Sequence, residues 1–219
     1  MKLSERLLKI TEFVRGATVV ADIGTDHGYV PVYCVQNGLC DRAIACDINE
    51  GPLAAARDHI ADSGLSDVID ARLSDGLEAL APNEADTIVI AGMGGFLIRD
   101  ILIRGTEVIG SDTRLILQPM VAAKELREYL ADNGFEIVTE KLAREEDKFY
   151  NIMYVQKGAS SLTEKELLLG KGIEDDENFG DYVTFNVNVV SKIINGLKKS
   201  KDKDGEIARY EHLLEIIKV

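Results

Sequence analysis

Tryptophan is absent, cysteine occurs three times with no C-x-x-C pair, and the 219 residues contain no uncharged apolar run of about 18. The last absence excludes a membrane-spanning helix of ordinary length. The opening segment MKLSERLLKI reads as a charged amphipathic helix without an apolar signal-peptide core. A cytoplasmic protein is expected. The odd count and spacing of Cys34, Cys40 and Cys46 argue against a disulfide framework or a zinc site, so no metal is expected. Buried packing is the default role for these thiols. Positive charge is also short: 25 Lys and Arg face 38 Asp and Glu, a net charge of -13. Proteins that grip nucleic acid usually carry the opposite balance. The distribution is less hostile, with Lys2, Arg6, Lys9 and Arg15 near the start, Arg99 and Arg104 in the middle, and Lys192, Lys198, Lys199, Lys201 and Lys203 near the end. These are either local patches or a solvated face.

What is present is aliphatic. Hydrophobic residues make up 46% of the chain, and the length suits one α/β domain of about 150 residues plus an appendage. Short β-rich runs alternate with helical patterns, as in βαβ units on a mainly parallel sheet. A helix over 3–15 precedes strand 17–23, helix 30–37, strand 43–47, helix 52–62, strands 68–73 and 87–91, helix 95–103, strand 114–118 and helix 122–133. Two further strands, 135–142 and 149–156, joined by a polar loop at 144–148, predict an antiparallel hairpin. Beyond Gly158, Val183, Val187, Val190, Ile194 and Leu197 recur at helical steps, as do Ile207, Tyr210, Leu214 and Ile217. An antiparallel helical pair from about residue 177, turning at 201–205, is expected, closing within one chain or between two. The alternating YVTFNVNVV also permits a strand, but it continues into helical spacing without a turn signal. The division is therefore a domain over 1–158 and a small α-helical coiled-coil appendage over 159–219.

The residues suited to chemistry gather at strand ends. Strand one delivers Asp22, Gly24 and Gly28 in the pattern D-x-G-x-x-x-G, where glycine lets the backbone turn and approach a ligand. The spacing is not that of a phosphate-binding G-x-G-x-x-G. Asp47 ends strand two, about 20 residues on, where a carboxylate accepts from both ribose hydroxyls of an adenosine-bearing cofactor. Ser74, Asp75 and Gly76 follow strand three, and Asp75 is placed to accept from an adenine amino group. Ala91-Gly92-Met93-Gly94-Gly95 follows strand four, where glycines let a flat substrate approach the backbone. Gln118-Pro119-Met120 is a weaker candidate for the same rim.

Together, DIGTDHGYVPVY, IACDINEGPLAAA, SDGLEAL, DTIVIAGMGG, LILQP, LREYLADNGF and KFYNIMY resemble the bacterial tRNA (adenine-22-N1)-methyltransferase family over roughly residues 3–158. The closing strand hairpin and the helical pair are similar to that family too. The resemblance implies a Rossmann-like class I methyltransferase sheet, S-adenosylmethionine as methyl donor and a tRNA adenosine as acceptor. Asp22, Gly24, Asp26, His27, Asp47, Asp75, Gly92, Met93, Gly94 and Gly95 match its motifs. The chain departs at Met120, where the family commonly has asparagine, and at Asn151, where an acidic residue is frequent.

Adenine N1 carries a lone pair, so attack on a sulfonium methyl needs no general base, and the product is a cation. Catalysis then rests on positioning and on acceptors near the developing charge. Asp26 is the first choice for a catalytic carboxylate, accepting from the adenine amino group or binding the cofactor ammonium. His27 orients either ligand or caps the following helix; Tyr29 stacks on an extruded base or packs in the core. Asp22, Gly24, Gly28, Asp47, Asp75, Gly76 and Gly92 are assigned to the cofactor, and Tyr29, Met93, Gly94 and Gly95 to the substrate. His59 and His212 receive no role. The acidic charge keeps a methyltransferase of small molecules or proteins in play, as well as a binding module without catalysis.

Overall fold

The computed structural model describes residues 3–200 and 203–218. Ser4 caps the first helix, α1 (Glu5–Val14), by accepting from the Leu7 amide. There follow β1 (Ala17–Ile23), α2 (Tyr29–Gln36), β2 (Cys40–Asp47), α3 (Glu50–Asp62), β3 (Ile69–Leu73), β4 (Thr87–Gly94), α4 (Gly95–Arg104), β5 (Arg114–Val121) and α5 (Ala123–Asp132). The chain continues with β6 (Phe135–Glu145), β7 (Lys148–Lys157), α6 (Glu164–Leu169), α7 (Phe179–Leu197) and α8 (Asp204–Lys218).

The strands form one seven-stranded sheet in the order β3-β2-β1-β4-β5-β7-β6. β7 lies antiparallel between β5 and β6, while the other pairings are parallel. Alternation of side chains splits the core in two. Ile23, Ile88, Ile90, Leu115 and Leu117 pack with Ile98, Leu102, Leu126 and Leu130 of α4 and α5. Their neighbours Val20, Val89 and Ile116 point the other way, onto Ile10, Val14, Val32 and Ile60 of the first three helices. The sheet order reverses between β1 and β4, so the segments leaving those two strands flank the crevice where open α/β sheets bind ligands.

The Rossmann-like sheet with its reversed strand agrees with the expectation, but several boundaries move. β4 and β5 run on through the glycines and Pro119, pairing Gly94 with Val121, because register shifts at Ala91/Met93 and Met93/Gly94 absorb the irregular backbone. The polar loop expected at 144–148 is mostly strand: Glu145 pairs with Lys148, and Glu146, at φ 54°, makes the turn. α6 lies in what read as a polar junction. Lys201 and Asp202 of the expected turn lie outside the described residues, as does Lys2; Asp204 and Gly205 already belong to α8.

α7 and α8 form the expected helical pair, joined by Val190, Ile194 and Ile217 in a core that includes Leu142 of β6. A buried polar network holds this part to the sheet. Arg127 of α5 makes a two-pronged ion pair with Glu140 of β6 at 2.8 Å and donates to the Leu167 and Leu169 carbonyls of α6. Asn151 donates to the same Leu169 carbonyl and accepts from the Tyr182 hydroxyl at 3.0 Å. The uncharged Asn151 thus has a structural task here, linking β7 to α6 and α7.

Candidate functional site

The segment after β1 is built on positive φ. Gly24 (φ 76°) and Thr25 donate their amides to the Cys46 carbonyl at 2.8 Å, His27 stands at φ 56°, and Gly28 at φ 66° precedes α2. A left-handed histidine costs about 1 kcal/mol and signals a loop held in place by its surroundings. His59 supplies part of that hold: its Nδ1–H donates to the His27 carbonyl at 2.8 Å. The carbonyl can only accept, so the proton sits on Nδ1. Tyr29 stacks on the His27 ring at 5.4 Å and meets the His59 ring edge-on at 5.4 Å. His59, given no role in the sequence, is carried back to the loop by α3 and holds its backbone. His212 lies by Glu164 at 3.5 Å, within the helical part.

Two clefts open on either side of this loop and share Gly24, Ala91 and Gly92. The first, about 250 Å³, is lined by Arg6, Asp22, Asp26 and Tyr29. The second, about 360 Å³, is lined by Asp47, Ile48, Asp75, Gly76, Met93 and Leu97. Of the site residues singled out in the sequence, Asp22, Gly24, Asp26, Tyr29, Asp47, Asp75, Gly76, Gly92 and Met93 line one cleft or the other, His27, Gly28, Gly94 and Gly95 line neither, and Arg6, which α1 brings in from outside the sheet, was not among them.

The electrostatics of the first cleft are unusual. Burial, reinforced by the Asp47 charge, pushes the Asp22 carboxyl up to about 6. Thr25 faces Asp22 and offsets part of this rise, yet its hydroxyl is buried without a full hydrogen-bond partner. Arg6 donates to Gln118 Oε1 at 2.7 Å, and Gly92 donates its amide to the same oxygen at 3.1 Å. Gln118 is fully buried, so it is the peg that fixes the turn of Gly92 (φ 76°) at the end of β4. The Arg6 Nε, 3.9 Å from the Glu145 carboxylate, is buried and unpaired. Asp26 is mostly exposed and sits 3.2 Å from His27 Nε2.

In the second cleft, Asp47 accepts the Asn49 amide on Oδ1 at 2.8 Å, while its carbonyl accepts from Ser74 at 2.8 Å, binding the ends of β2 and β3 together. Both Asp75 oxygens accept from Arg104, at 2.9 and 3.0 Å, an ion pair not foreseen from the sequence. Each oxygen keeps a further lone pair for a ligand. Met93 lies against Gly24, where a Cβ would come within 2.3 Å of its methyl carbon. It lines the second cleft beside that glycine. Gly95 lines neither cleft: it is buried, and a Cβ there would meet the Ala122 carbonyl oxygen at 2.3 Å. Its glycine is required by packing against the start of α5, a constraint separate from the substrate role expected of it. Gly94 lies beside Val121 and Met120 is half exposed, its sulfur accepting from Gln118 Nε2 at 3.6 Å.

The three thiols are buried, and burial raises their pKa values, Cys40 to about 11 and Cys46 to about 12, so they stay protonated and inert at neutral pH. Among the described residues no group of His, Cys, Asp and Glu is placed to hold a metal, and no helix is long and apolar enough to cross a membrane.

The chain is similar to known proteins throughout. A family model described as a methyltransferase domain matches residues 3–153. The tRNA (adenine(22)-N(1))-methyltransferase of Bacillus subtilis (strain 168) is 40% identical over 158 residues, which span 72% of this chain and 66% of that protein. The crystal structure of the B. subtilis m1A22 tRNA methyltransferase TrmK superimposes with a TM-score of 0.89 at 32% identity, covering 99% of this chain and 97% of that one. A Streptococcus pneumoniae relative, solved in complex with S-adenosyl-L-methionine, does so with a TM-score of 0.86 at 32% identity, covering 99% and 98%. With a reversed β7, acidic strand ends and a helical pair in common with the expected pattern, the chain belongs to the bacterial tRNA (adenine-22-N1)-methyltransferase family of methyltransferase-domain proteins.

Proposed function

We propose that this protein transfers a methyl group from S-adenosylmethionine to N1 of an adenosine in tRNA, at position 22 by analogy with its B. subtilis relative. The observation that carries the reading is the pair of clefts meeting at Gly24, Ala91 and Gly92, each with carboxylates of its own. The fit to the cofactor rests on the chemistry of those walls. Asp47 and Asp75, with Ile48 and Leu97, suit a nucleoside carrying hydroxyls and an amino group. Asp22 and Arg6 offer opposite charges in the other cleft, matching an amino-acid end that bears an ammonium and a carboxylate. When bound, S-adenosylmethionine supplies an electrophilic methyl on a sulfonium.

The residues around the shared floor then do the remaining work. Gly92, fixed by Gln118, gives the incoming base a flat, unobstructed approach. Asp26, exposed at the mouth, accepts from the adenine amino group and offsets the positive charge that forms on the ring. No base has to remove a proton from N1, because its lone pair is free once the adenosine leaves its stack. Tyr29, held between His27 and His59, presents a ring edge at the same mouth. A cytoplasmic site of action follows from a tRNA substrate. A methyltransferase of small molecules or proteins is favoured only by the net charge of -13. Incubation with labelled S-adenosylmethionine and total bacterial tRNA, followed by nucleoside analysis, decides between them. Label in 1-methyladenosine is expected; no transfer to RNA overturns the proposal.

A further inference from the structure

The edge of the crevice formed by β4 and β5 is apolar and open. Phe96 is 50% exposed, Met120 43% and Val121 67%. Gly94 pairs with Val121 across the two strand ends, and Phe96 follows two residues later in the first turn of α4. Its neighbour Leu97 lines the nucleoside cleft, which makes rim and cleft continuous. Half of the Phe96 surface is open to solvent, and an apolar rim beside a reaction site marks a contact surface. The Arg99 guanidinium lies 5.1 Å over the Phe96 ring, giving two flat groups together.

The charges nearby narrow the kind of contact. Arg99 pairs with Asp100 at 2.7 Å, Arg104 with Asp75 at 2.9 Å, and Lys124 with Glu128. The cations of this edge are thus already neutralised, in a chain that is strongly acidic overall. An RNA brought here gains little from long-range attraction and must be held by short-range contact. Bases provide that contact, because stacking on an aromatic ring works for any base and depends little on charge.

We infer that Phe96, with Arg99 across it, is the stacking platform for an RNA base next to the extruded adenosine, and that Met120 and Val121 extend the platform as apolar support. Phe96 is a positioning residue: it holds the strand so that the target base reaches the floor at Gly92. The inference rests on the proposed tRNA methylation.

Phe96→Ala, Phe96→Trp and the wild-type enzyme are compared for tRNA methylation, S-adenosylmethionine affinity by calorimetry, thermal midpoint and oligomeric state. Loss of one stacked base lowers kcat/KM for tRNA about 5- to 150-fold in Phe96→Ala, chiefly through KM, and Phe96→Trp restores it. Cofactor affinity and thermal midpoint stay at wild-type values in both variants. Unchanged kcat/KM in Phe96→Ala, a Trp variant no better than Ala, an equal loss of cofactor binding, or conversion of a dimer to a monomer overturns the inference. If the wild-type enzyme itself fails to methylate tRNA, the proposed function falls first, and the two failures are told apart.

Discussion

Replacing Asp22 with asparagine separates the protonation of one buried carboxyl from the rest of the site. Its pKa, raised from 3.8 to about 6 chiefly by burial, means that the folded protein resists ionising it. Below pH 3.8 the group is protonated in both folded and unfolded chains and costs nothing; as pH rises through 6, stability is lost. The folded and unfolded values stand roughly two pH units apart, and at about 1.36 kcal/mol for each the loss levels off at about 3 kcal/mol. Asp22→Asn therefore stabilises the cofactor-free protein by up to about 3 kcal/mol at pH 7, less whatever the amide fails to hydrogen-bond. The same raised pKa governs cofactor binding. If the Asp22 carboxylate receives the cofactor's ammonium, binding requires its ionised form, and affinity falls about tenfold as pH drops from 7 to 5. The cofactor's own amino group, with a pKa of about 8 in an α-amine, stays charged throughout that window. Calorimetric titration with S-adenosylmethionine at pH 5, 6 and 7, alongside urea unfolding at the same pH values, reads both effects. In Asp22→Asn the affinity is weaker at pH 7 and flat with pH. A variant that keeps the wild-type pH profile, or that loses stability at pH 7, refutes the reasoning.

Asp47→Ala removes the acceptor assigned to the ribose hydroxyls and lowers cofactor affinity at least about tenfold, at roughly 1.5 to 3 kcal/mol for a hydrogen bond to a charged group; unchanged affinity removes that assignment. Asp26→Ala abolishes methyl transfer while calorimetric cofactor affinity survives, since the exposed carboxylate is read as serving the substrate. Loss of cofactor binding in that variant moves Asp26 to the cofactor ammonium instead. Arg127→Met leaves Glu140 buried without its partner and destabilises the fold by about 3 to 5 kcal/mol in urea unfolding, whereas Arg127→Met with Glu140→Leu recovers much of the loss. Equal stability of the single variant and the wild type contradicts the anchoring role.

The sheet was legible because its signals are local and periodic. The near-continuous apolar runs in residues 17–23 and 114–118 report strands buried on both faces, and the polar break after Leu142 reports a reversal of the chain. The acidic strand ends were legible for the same reason, since Asp22, Asp47 and Asp75 each follow an apolar run. What escaped is tertiary. Arg6 sits in an amphipathic helix whose spacing says only that one side is buried, not that its end reaches Gln118. His59 lies mid-helix, and only the packing of α3 on the loop gives its ring the His27 carbonyl. Arg104 closes on Asp75 across α4 in a pairing no spacing rule foretells. Gly92, Gly94 and Pro119 read as breaks, yet the strands continue past Ala91 because bulges absorb the irregular backbone. Gly95 carries a packing constraint that its motif does not announce: the Ala122 carbonyl leaves no room for a side chain there.

The central claim, methylation at N1 of a defined tRNA adenosine, is tested most directly by primer extension. A methyl group on N1 blocks the Watson-Crick edge, so reverse transcriptase halts at the modified base. An unmodified tRNA transcript treated with the protein and S-adenosylmethionine gives a new stop at position 22, and a transcript carrying guanosine there gives none. A stop elsewhere, or none on the adenosine-bearing transcript while label enters the RNA, contradicts the account.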